Sequence, residues 1–148
     1  HWLAHCVEEF GFAAISLPPT HNFHSQRLLS DWSHKHVAFI AGLGTFGLHH
    51  MLITEKGCCG RLGSMITTAE ITPSSRPEKT FCQFYDDGSC QQCVKHCVFG
   101  ALNVTVFDRR LCYDICLSNA EIHSELGFAD VCGKCMCMTP CSYTNPVK

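Results

Sequence analysis

Apolar positions in the first ten residues fall at Leu3, Cys6, Val7 and Phe10. That i, i+3, i+4, i+7 spacing predicts an amphipathic helix over 1–10, ended by Gly11. Ala13 to Leu17 is a short apolar run that predicts a strand, stopped by Pro18-Pro19. A second helix is expected through Val37, Phe39 and Ile40 to Gly42, with Asp31 or Ser33 as its N-cap. Arg61 to Ile71 reads as a strand with Leu62, Met65 and Ile66 turned to the core. The stretch TPSSRPEK, residues 72–79, is a Pro/Ser loop and the expected boundary. Beyond it, Asn103 to Phe107 reads as a β-type stretch and Cys112 to Leu126 as a helix. The predicted class is α/β (α+β), with parts at 1–74 and 75–148.

Composition changes this picture through one residue type. The 148-residue chain has 13 cysteines, and ten lie between Cys82 and Cys141. A secreted disulfide scaffold favours an even count and a signal peptide. The start His1-Trp2-Leu3 has no charged n-region and no Met, so the chain is expected to be a fragment of a longer, cytoplasmic protein. Net charge is −2 with no basic run, which gives no nucleic-acid footprint. No apolar run of membrane-spanning length is present.

The chemistry sits in DDGSCQQCVKHCVFGAL, residues 86–102. A bacterial 4Fe–4S run reads C-x2-C-x2-C-x3-C-P. Here Cys90, Cys93 and Cys97 give C-x2-C-x3-C, with Asp87 at the first cysteine's place and Val98 at the proline's. Two clusters need eight thiolates, and in two-cluster ferredoxins the last cysteine of each run serves the other cluster. Cys90 and Cys93 therefore take Cys82 from upstream and Cys141 from the second run. Cys132 and Cys135 take Cys97, with the fourth position open among Cys112, Cys116 and Cys137. The competing reading is structural zinc, each ion held by four cysteine thiolates. Cys6, Cys58 and Cys59 read as ordinary small core or surface residues.

Several segments together resemble the epoxyqueuosine reductase family, relatives of the corrinoid-dependent reductive dehalogenases. They are AGLGTFG (41–47), LITEKG (52–57), GRLGSMITT (60–68), GSCQQCVKHCVFGAL (88–102), DRRLC (108–112) and CGKC (132–135) with Cys141. The resemblance implies a nitroreductase-like fragment followed by a ferredoxin-like domain with two 4Fe–4S clusters. It implies Cys82, Cys90, Cys93 and Cys141 for the first cluster, and Cys97, Cys112, Cys132 and Cys135 for the second. It further implies a bound cobalamin, an electron donor protein of ferredoxin or flavodoxin type, and a small-molecule or modified-nucleoside substrate. Two departures stand out: the family's usual first cysteine is absent, and the second run is C-x2-C-x5-C.

Gly42, Gly44 and Gly47 spell G-x-G-x-x-G, with Glu70 23 residues past Gly47. The segment after them breaks at Gly57, too soon for a βαβ crossover, so a dinucleotide site is disfavoured. Tight turns and close packing are one reading of these glycines. The resemblance gives another, a backbone surface against a corrinoid. It also implies an acid upstream of AGLG as proton donor, which points to Asp31; Asp31 serves equally as a helix N-cap. The expected function is reduction, with electrons passing through the clusters to a corrinoid. The alternative is an electron carrier or redox subunit with no catalytic site of its own.

Overall fold

The computed structural model describes residues 2–19 and 23–147. The order is α1 (Trp2–Glu9), β1 (Ala14–Ser16), α2 (His34–Ile40), β2 (Gly44–Phe46), β3 (Leu52–Thr54), β4 (Met65–Thr67), α3 (Gln83–Asp86), α4 (Gln92–His96) and α5 (Arg109–Ile122), followed by a 3-10 turn, Ser124–Leu126. Short helices and two small sheets make the class α+β. Both sheets are two-stranded and antiparallel, β1 with β4 and β2 with β3. Residues 72–79 hold neither helix nor strand.

The first helix forms where its periodicity predicts and ends at Gly11, whose φ of +86° suits a residue without Cβ. Its expected apolar face is covered only in part, at the half-buried Cys6 and Val7. Ala4 is buried, whereas Leu3 is 57% and Phe10 82% exposed. The strand expected over 61–71 shortens to β4, and its core residue Ile66 is exposed opposite exposed Ile15. Ser33, not Asp31, is the N-cap residue of α2. Asn103 to Phe107 is a turn rather than a strand: the Asn103 side-chain oxygen accepts the N–H groups of Thr105 and Val106, closing a single Leu102–Phe107 bridge. On α5, the Asp108 carboxylate accepts Leu111 N–H at 2.9 Å and caps the first turn.

The hairpin β2–β3, which the sequence pattern does not predict, lies at the centre of the molecule. The fully buried Ile53 of β3 packs with Leu48, Cys58, Phe81, Cys82, Cys93, Leu102 and Cys141. That core draws on residues from both sides of 72–79. Backbone bonds reinforce the join: Cys58 N–H donates to Cys141 O, Cys59 N–H to Ser142 O, and Phe81 N–H to Thr45 Oγ1. Gly57 permits the first two. Its φ is +83°, and a Cβ there would meet the Ser142 carbonyl.

Candidate metal centre

Short elements carry the cysteines to two adjoining cavities. Cys82 is the N-cap residue of α3, Cys90 precedes α4, Cys93 lies on α4 and Cys97 is its C-cap. Cys82, Cys90, Cys93 and Cys141 line the smaller cavity. Cys97, Cys112, Cys132 and Cys135 line the larger, of about 700 Å³, together with Cys59, Cys116 and Cys137. Cys93 and Cys97 are four residues apart, which would stack them on one helical face. Cys97 has already left the helix, with ψ at 76°, and serves the other cavity. Cys141, from the second run, lines the cavity of the first. Asp87, at the missing cysteine's place, is exposed, and its carboxylate accepts Ser89 N–H at 2.8 Å.

Among these eight thiols, burial and the neighbouring sulfurs push Cys93, Cys112 and Cys135 upward. Burial first, then the neighbouring Cys82, Cys141 and Cys90, pushes the Cys93 thiol up to about 11. Burial, then Cys112, Cys97, Cys93 and Cys132, pushes Cys135 up to about 12. Thiols so placed resist ionising together unless a cation lies among them. Cys116 sits one helical turn beyond Cys112, and burial followed by the charge of Cys112 raises it to about 11. Cys137 is exposed. Among the expected fourth positions, Cys112 is the one whose charge acts on Cys135, while Cys132 acts on both Cys112 and Cys116.

Neither set has the spacing of a single bound ion. A tetrahedral zinc with Zn–S near 2.3 Å holds its sulfurs about 3.8 Å apart. Among the described residues, the group with all ligand atoms within 4.8 Å of one another is His49, Cys58 and Cys141. The sequence reading misses this trio, because it takes Cys58 for an ordinary cysteine and His49 for one histidine of ten. The signal lies only in the fold, because Cys58 and Cys141 are 83 residues apart. The Cys58 thiol donates to Cys141 Sγ at 3.9 Å, His49 Nε2 is 3.4 Å from it, and Thr139 Oγ1 is 3.2 Å from it. These bonds, Cys58 first and then His49 and Thr139, hold the Cys141 thiol well below its ordinary value. Cys58 is pushed up by the same contact and then by burial.

The remaining expected residues serve differently. Gly44 is pressed against the Ile53 carbonyl of β3. At Gly47 a Cβ would meet Ile53 Cδ1 at 2.8 Å and His49 Cε1 at 2.9 Å, and at Gly42, with φ +82°, it would meet Ser75 O at 2.7 Å. The space above all three is filled by the chain's own atoms, so these residues do not fit a bare surface for a corrinoid. A hairpin also follows them, with no crossover helix. Asp31 is exposed, lies two residues before the α2 cap and lines neither cavity. It therefore has neither the cap role nor a place near the thiols. No helix among the described residues is long and apolar enough to cross a membrane. No protein-family model, curated protein or solved structure matches the chain.

Proposed function

We propose that the chain is the electron-transfer part of an iron–sulfur oxidoreductase. Cys82, Cys90, Cys93 and Cys141 would hold one 4Fe–4S cluster; Cys97, Cys112, Cys132 and Cys135 would hold the second. When bound, each cluster supplies a one-electron couple. The observation that carries the reading is the exchange of cysteines between runs, with Cys97 at the larger cavity and Cys141 at the smaller. That exchange is the habit of two-cluster ferredoxins, and it supports a ferredoxin-like second part. The wide thiol spacing favours clusters over two zinc ions. The core shared across 72–79 keeps the two cavities adjoining, so that electrons need cross only a short distance.

The reaction at the far end of such a chain belongs to an acceptor. The family resemblance would make that acceptor a corrinoid in a nitroreductase-like setting, reached by electrons from a ferredoxin- or flavodoxin-type protein. Gly42, Gly44 and Gly47 are packed against the chain's own atoms and do not fit a macrocycle. Electron carriage is the reading that this chain's own residues support. Anaerobic reconstitution with iron and sulfide, followed by iron, sulfide, zinc and cobalt analysis, tests it. The expected result is about eight irons per chain with matching acid-labile sulfide. Stoichiometric zinc without labile sulfide would refute it.

A further inference from the structure

His49 is the residue that lines both cavities. The residue is only 4% exposed, and its environment determines where its proton lies. Met51 N–H donates to His49 Nδ1 at 3.1 Å. Nδ1 therefore carries the lone pair, and the single proton of the neutral ring is on Nε2. Nε2 is the atom 3.4 Å from Cys141 Sγ. Ligation of a metal through Nε2 would move the proton to Nδ1, facing the Met51 N–H with two donors opposed. An imidazolium would create the same conflict. The trio of His49, Cys58 and Cys141 is thus arranged as donors around one sulfur rather than as a metal centre. Gly47 keeps the space that the ring needs, since a Cβ there would lie 2.9 Å from His49 Cε1.

We propose that His49 is a positioning residue whose Nε2–H bonds to the Cys141 sulfur and raises the reduction potential of the cluster held there. This rests on the two-cluster reading. Hydrogen bonds to cluster sulfurs are one of the levers that set potential. The N–H stabilises the more negative, reduced state more than the oxidised one, and the proton stays on nitrogen throughout. At the other cavity, the Leu102 backbone N–H donates to Cys97 Sγ at 3.3 Å. Cys141 instead meets His49, Cys58 and Thr139 together.

The test is a potentiometric EPR titration of the reconstituted wild-type, His49→Leu and His49→Gln proteins, with iron counted in each. With iron kept near eight per chain, His49→Leu should lower the reduced-to-oxidised ratio of one cluster about tenfold at fixed poise. That equals about 59 mV for one electron. The other cluster should not move, and His49→Gln, which keeps an N–H, should recover part of the shift. Unchanged potentials in both variants would overturn the proposal, as would loss of about half the iron in His49→Leu, which would make His49 a ligand. Pulsed EPR of the wild type labelled with ¹⁵N-histidine is independent of how the variants fold. A weak nitrogen coupling supports the bond; no coupling, or one as strong as direct ligation, overturns it. A wild type without any cluster refutes the two-cluster reading itself, and the His49 proposal with it.

Discussion

The cavity of Cys82, Cys90, Cys93 and Cys141 differs in depth from that of Cys97, Cys112, Cys132 and Cys135. In the first, three of the four thiols are buried; in the second, all four are partly exposed. The first is walled by Leu48 and Ile53 of the central core, and Cys141 there is met by side-chain donors. The second opens into about 700 Å³ and has Cys116, Cys137 and Cys59 on its lining as spare sulfurs. A deep site holds its ligands by packing, and the sulfur beside it, Cys58, is itself buried against Cys141 and lies outside the cavity lining. An open site has thiols to spare and solvent nearby, so it tolerates change and loses metal more readily.

The largest effect should come from breaking the deep site. Cys93→Ser is expected to take the iron content from about eight to about four per chain, because no other sulfur lines that cavity. Cys112→Ser should cost less, since Cys116 lies one turn along α5 within reach of the same thiols. The double change Cys112→Ser with Cys116→Ser should cost more of the second cluster's iron than Cys112→Ser alone, leaving Cys137 and Cys59 as the spare sulfurs of that cavity. Iron and sulfide analysis of the three variants checks this. Equal losses in Cys93→Ser and in Cys112→Ser alone would mean that the open cavity offers no substitute.

A smaller effect, without mutation, is the order of metal loss. On exposure to an iron chelator in air, the reconstituted protein should release iron in two phases of about four each. The fast phase belongs to the open cavity. EPR during the decay identifies the survivor, and the comparison predicts the cluster next to His49. A single phase would mean that both sites open together, as global unfolding would require.

The two groups of cysteines were more legible in the chain than their difference in depth. The C-x2-C spacings depend on short, local geometry; Cys82, Cys90, Cys93 and Cys141 line one cavity, and Cys97, Cys112, Cys132 and Cys135 line the other together with Cys59, Cys116 and Cys137. What was not legible depends on long-range pairing. Cys58 reaches Cys141 only because Gly57 lets two backbones touch, and His49 reaches it only through the hairpin that the pattern does not predict. The apolar spacing of 1–10 gave the helix and only part of its buried face. Cys6 and Val7 are half-buried beside buried Ala4, while Leu3 and Phe10 fit the periodicity yet stay exposed, since periodicity states which residues share a face and not whether anything covers it. Gly44 and Gly47, read either as close packing or as a ligand surface, show the same limit. A glycine pattern says that something comes close to the backbone and leaves open whether it is a ligand or the protein itself.

The smallest predicted effect decides that last point. Gly47→Ala places a methyl against His49 Cε1 and Ile53 Cδ1, both in the wall of the deep cavity. Overpacking of this kind costs about 1–3 kcal/mol. For a chain of this size that lowers Tm by roughly 2–4 °C per kcal/mol. Gly60→Ala and Gly63→Ala have nothing within 4 Å of the added carbon, and surface changes of that kind stay within about 0.5 kcal/mol. Thermal unfolding of the reconstituted proteins should therefore separate Gly47 from Gly60 and Gly63, with no cobalamin present. Because the methyl pushes on the imidazole, Gly47→Ala should also perturb the EPR signal of the Cys141 cluster, while Gly63→Ala, which lines neither cavity, leaves both signals alone. Were Gly47→Ala to leave stability and both signals intact while abolishing cobalamin binding, the glycines would line a ligand site. The packing account of the deep cavity would then fail at its best-defined residue.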